Sequence, residues 1–102
     1  MLLVSTTCPD TQTARDIAQA ALGDRLAACA TLHPGLISLF HWQGRLDESA
    51  EVGLEFKTVP ARLQALVDLI RARHPYDLPV ITWQKMMTTK AAEIWLADET
   101  SV

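Results

Sequence analysis

The sequence predicts an α+β fold in which one antiparallel sheet of four strands carries both long helices on a single face. Three observations point there. Apolar spacing switches between strand and helix periods in the order βαββαβ, with a further helix at the end. Residues 51–57 alternate cleanly, Val52, Leu54 and Phe56 one way and Glu51, Gly53, Glu55 and Lys57 the other, as in a strand with one face in a core. The stretch His74-Pro75-Tyr76-Asp77-Leu78-Pro79 is a stiff hinge, because its two prolines fix their own φ and push the preceding residues out of the α region.

In chain order, Leu2-Leu3-Val4-Ser5-Thr6 is an apolar run of strand length, closed by Cys8-Pro9-Asp10. Asp10 is a suitable N-cap for a helix whose stripe is Ala14, Ile17, Ala18, Ala21 and Leu22, with Gly23 at its end. Residues 26–32 form a continuous apolar run without a readable period, taken here as a turn of helix followed by a strand. His33-Pro34-Gly35 interrupts, residues 36–42 resume as an aliphatic and aromatic strand, and Gln43-Gly44-Arg45 is a turn or a bulge. In the strand over 51–58, Gly53 leaves room on the outer face for another group to approach.

Pro60 opens a second helix with Leu63, Leu66, Val67 and Ile70 on one stripe, ending near Arg73. Pro79-Val80-Ile81-Thr82-Trp83 supplies the last core strand, and Thr88 or Thr89 caps a final helix through Ile94, Trp95 and Leu96. Right-handed crossovers then give the ferredoxin-like arrangement in one domain over residues 1–102. Its second sheet face and its edges need water or a partner.

A 102-residue chain removes roughly 65% of its unfolded surface from water. Three tryptophans and 49% hydrophobic residues exceed what so small a core hides, which favours an oligomer. A net charge of -3 and a pI near 5.5 argue against nucleic acid or anionic lipid as partners. The apolar start lacks the basic residues and length of a secretory signal, no run reaches membrane-spanning length, and two cysteines fit a reduced, cytoplasmic protein.

No nucleophile triad, Walker loop or GxGxxG is present, so no enzyme is predicted. Cys8 and Cys29 are too far apart to form a local metal clip. The plainer reading of Cys29 is a buried inert thiol, yet at a subunit junction it could join imidazoles as a soft copper ligand. For His74 the plainer role is an imidazole bonded to carbonyls at a helix end, and for Tyr76 a packed ring with a satisfied hydroxyl. Glu51 and Lys57 read as a solvated or inter-subunit ion pair, Trp42 as an interface anchor, and His33 and His41 as surface residues.

Over nearly its whole length the chain resembles the CutA divalent-cation-tolerance family. The carrying segments are Thr7-Cys8-Pro9-Asp10, residues 25–31, Pro34-Gly35 with residues 38–44, Glu51-Val52 with Lys57-Thr58, and above all the hinge. The resemblance implies a ferredoxin-like subunit in a tight homotrimer built like the PII signalling proteins. It implies a cytoplasmic, non-catalytic role in tolerance to divalent cations, copper especially. No cofactor is expected to be needed for folding. The matching positions are Cys29 and His74 as candidate metal ligands, with Trp42, Glu51, Lys57 and Tyr76 in an inter-subunit cleft that takes a metal ion or small ligand. The alternative is a structural trimeric scaffold with no physiological metal site. Val80 stands where the family usually has a glutamate, which removes a carboxylate from that cleft.

Overall fold

A computed structural model describes residues 1–101. Its elements are β1 (Leu2–Cys8), α1 (Thr11–Gly23), β2 (Cys29–Trp42), β3 (Arg45–Thr58), α2 (Leu63–Arg73), β4 (Thr82–Lys85) and α3 (Lys90–Glu99). The four strands form one antiparallel sheet in the order β2-β3-β1-β4. This is the expected ferredoxin-like topology.

The direct strand partners Val4 with Phe56, Thr6 with Leu54 and Cys8 with Val52 share the helix-side face. There the predicted stripes meet them: Ala14, Ile17, Ala18 and Ala21 from α1, and Leu66 and Ile70 from α2. Asp10 caps α1, its carboxylate accepting the Thr13 N–H at 2.7 Å, and Thr89 caps α3 by accepting the Ala92 N–H at 3.2 Å. At the other end of α1 no further helical turn follows. Arg25 adopts φ 56, and Arg25 and Leu26 donate back to the carbonyls of Leu22 and Ala21 at 3.1 and 2.9 Å. This pair of bonds closes the helix before residues 26–28 lead into β2. Pro60 opens a 3-10 turn over Pro60–Arg62, and α2 proper starts at Leu63.

The largest departures lie in the strands. Pro34-Gly35 does not interrupt: β2 is one strand of 14 residues with a bulge between His33 and Leu36. Its partner β3 begins at Arg45, not at Glu51, and is equally long. Gln43 and Gly44, at φ 52 and 78, make a tight two-residue turn with both central residues in the left-handed region, which matches the twist of the flanking strands. The molecule is accordingly elongated, 45 × 24 × 21 Å, with the outer half of the hairpin projecting as an arm. The last strand is not a core strand over 79–83. It is a short exposed edge, Thr82–Lys85, because the hinge stays irregular as far as Ile81.

Replacing Asp10 with alanine removes the side-chain acceptor at the start of α1 and should lower stability by about 1 kcal/mol. Urea unfolding checks this as a lower midpoint at an unchanged slope.

Candidate functional site

The hinge forms because α2 must stop where Pro75 follows His74: the cap residue turns to an extended conformation at φ -73 and ψ 134. The chain then crosses from the helix layer toward the opposite face of the sheet. His74 is buried where it crosses, and both of its ring nitrogens are engaged. Nε2 donates to the Thr7 carbonyl at 2.8 Å, and Nδ1 accepts the Tyr76 N–H at 3.2 Å. A carbonyl only accepts and an amide only donates, so the partners fix the tautomer with its proton on Nε2. The Tyr76 ring packs against the imidazole, with centroids 4.7 Å apart, and its hydroxyl donates to Glu51 Oε2 at 2.7 Å.

Glu51 is the unexpected member. Its position on the outer face predicts solvation or an ion pair with Lys57, yet it is only 8% exposed. Lys57 lies six residues further along β3, roughly 20 Å away in an extended strand, so the two do not pair. Burial pushes the Glu51 carboxyl up, but the hydroxyls of Tyr76, Ser38 and Thr7 outweigh it, leaving the carboxyl below its usual range. The same carboxylate acts on its neighbours. Desolvation, then Glu51, raises Tyr76, and burial, then Glu51 and Asp10, pushes the Cys8 thiol up to about 11. Cys8 is therefore a protonated, inert core thiol.

Glu51 and Tyr76 form one end of a groove of about 620 Å³ on the sheet face away from the helices. Ser38, Phe40 and Trp42 of β2 and Ser49 and Asp47 of β3 continue it toward the hairpin tip. Leu78 and Val80 of the hinge make the facing lip. The structure thus brings together Trp42, Glu51 and Tyr76, with His74 behind them. Cys29 and Lys57 are cross-strand partners at the far end of the hairpin, outside the groove. Sequence reasoning misses Phe40, Asp47 and Ser49. The available signal is the alternation Arg45, Asp47, Ser49, Glu51 on one face, legible once the strand is started after Gly44.

Among the described residues no metal centre assembles in this chain. His74 has no free ring nitrogen, and Cys29 sits four positions along β3 from the Thr7 pairing, roughly 13 Å. Among the described residues, no three His, Cys, Asp or Glu side chains converge to hold an ion.

The CutA1 divalent ion tolerance protein family model matches residues 2–99. The chain belongs to that family. A divalent-cation tolerance protein CutA from Salmonella newport is 45% identical over 78 residues, spanning 76% of this chain and 68% of that protein. Among solved structures, CutA from Xylella fastidiosa superposes with a TM-score of 0.95 at 32% identity, covering 98% of this chain and 97% of that one. The divalent cation tolerance protein Cut A1 from Thermus thermophilus gives 0.93 at 35% identity, covering 99% and 100%. Among its described residues the chain has no helix long and apolar enough to cross a membrane.

Tyr76→Phe should cost about 1.5–3 kcal/mol, because the lost hydrogen bond goes to a charged, buried acceptor. The pH dependence has a definite sign. Since folding lowers the Glu51 pKa, its contribution is present above the ordinary carboxylate range and is lost as pH falls through the folded value. Tyr76→Phe should move that carboxyl upward, visible by NMR titration of the Glu51 side-chain carbon, and shrink the acid-induced loss of stability.

Proposed function

We propose that the protein acts in tolerance to divalent cations as a non-catalytic homotrimer, built like the PII proteins, whose groove takes a positively charged ligand at the junction between subunits. The observation that carries this is the apolar arm. Ile37 and Leu46 are each 70% exposed on one face of the hairpin, and Leu39 on that same face is also open to water. The free edge of β4, with Trp83 and Met86, adds to this surface. A 102-residue subunit does not leave so continuous an apolar surface to solvent, and association with further copies covers it. The family to which the chain belongs supplies the link to divalent cations.

Copper, or another divalent cation, is the cargo this reading inherits. Because no donor set closes within one subunit among the described residues, such an ion would need ligands from more than one copy, and Cys29 is the candidate that remains half-exposed. His74, turned inward on both nitrogens, is a clamp in this arrangement. Those satisfied nitrogens favour the second reading, a trimeric scaffold with no physiological metal site. Under it, Glu51→Ala and Tyr76→Phe alter melting and assembly but no ligand binding.

Native mass spectrometry of the protein, alone and with increasing copper, tests the proposal. A trimer with stepwise, saturable copper adducts that are lost in Cys29→Ala supports the inter-subunit ion. A trimer carrying only nonspecific adducts supports the scaffold. A monomer overturns both. Ile37→Glu with Leu46→Glu should convert the trimer to monomers while leaving the circular-dichroism spectrum unchanged, since both side chains lie outside the subunit core.

A further inference from the structure

The groove combines two properties that together select a ligand class. Its walls are apolar and aromatic: Phe40 and Trp42 on one side, Leu78 and Val80, each 67% exposed, on the other, and the Tyr76 ring at the end. Its charged groups are carboxylates, Glu51 and Asp47 on β3 and Asp77 on the hinge, and among the described residues no lysine or arginine lines it. His41 is the one basic side chain among the described residues there. Glu51 is more than nine-tenths buried, so its charge is fixed in place by the Tyr76 hydroxyl and not free to swing into water.

A bare ion uses such a groove poorly. Magnesium and calcium require six or more oxygen ligands at short range, and zinc or copper still needs several N, O or S ligands converging on one point. Asp47 and Glu51 stand four residues apart on an extended strand, roughly 13 Å, and point outward from the sheet in parallel. Apolar walls contribute nothing to an inorganic cation. An ammonium group on an apolar body suits both features: its N–H groups meet a carboxylate, its charge faces aromatic rings, and its carbon skeleton covers Leu78 and Val80.

We propose that the groove binds an organic ammonium ion, a primary amine carried on an aromatic or alkyl body, with the ammonium on the Glu51 carboxylate, the Asp47 carboxylate adding to the negative field further along the groove, and the body against the apolar and aromatic walls. This rests on the groove being the binding site proposed above and names the class of its ligand.

Benzylammonium chloride is the probe, with benzoate as its charge-inverted counterpart and copper(II) chloride as the inorganic cation. Binding is followed by isothermal titration, and the mass of the assembly by native mass spectrometry on the same samples. The expected result is saturable binding of benzylammonium, no binding of benzoate, and affinity reduced at least tenfold in Glu51→Gln. Asp47→Asn, an exposed substitution on the hairpin arm that leaves the Glu51 network intact, should also weaken binding by several-fold. Equal binding of benzoate, unchanged affinity in both variants, or a Glu51-dependent site saturated by copper and not by benzylammonium would each overturn the inference. A trimer that binds no amine refutes this inference alone. Glu51-dependent amine binding to a protein that is not a trimer supports it while refuting the trimeric reading.

Discussion

The bond from the Tyr76 hydroxyl to the Glu51 carboxylate holds the irregular part of this fold together. Residues 74–81 have no ladder of their own, so something outside the backbone must position them. His74 grips the end of β1 through the Thr7 carbonyl, and Tyr76, two residues later, grips β3 through Glu51. Thr6 adds a third tie, its hydroxyl donating to the Val80 carbonyl at 2.9 Å. Together they carry the chain from α2 to the edge of the sheet, where β4 pairs with β1. Removing one partner leaves a buried group unsatisfied, and that asymmetry makes such a network rigid.

Burying a carboxylate at 8% exposure is costly unless it is hydrogen-bonded, and here the donors are hydroxyls, not a lysine or arginine. Hydroxyl donors stabilise the charge without cancelling it. The negative potential therefore persists, and it is felt as far as Cys8 and Tyr76, both of which are held protonated. A lysine in place of those hydroxyls would have produced a neutral pair and an electrically silent groove.

Much of this was legible in the sequence. Helix stripes, both side-chain caps, the end of α2 at the hinge and the sheet topology all follow from local rules that the structure obeys. The hairpin was less legible, because a proline and a glycine inside a strand read as punctuation. Here they form a bulge, and the run from Arg45 to Ala50 carries too few apolar residues to announce a strand whose outer half is exposed. Pro79-Val80-Ile81-Thr82-Trp83 misleads in the opposite way. Its apolar side chains suggest a core strand, whereas Val80 and Trp83 are exposed and Val80 lines the groove. Glu51 is the clearest limit: alternation places it on the correct face, but only the fold brings Tyr76 across to bury it.

The bulge also explains why groove and arm occur together. Up to His33, odd-numbered residues of β2 share a face with Gly53, Glu55 and Lys57. Pro34-Gly35, with Gly35 at φ 82, inserts an extra residue, and from Leu36 onward the even-numbered residues take over that face. Ser38, Phe40 and Trp42 are thereby turned toward Asp47, Ser49 and Glu51, while Ile37 and Leu39 move to the opposite face of the arm. Without the insertion, Ile37 and Leu39 would line the groove and the aromatics would face away from the carboxylates. One irregularity thus sets both the chemistry of the groove and the apolar character of the surface beside it. Gly53 eases this close approach: an added Cβ would sit 3.0 Å from a Leu36 methyl and 3.3 Å from the His33 Cβ, so those neighbours would have to give by a few tenths of an ångström.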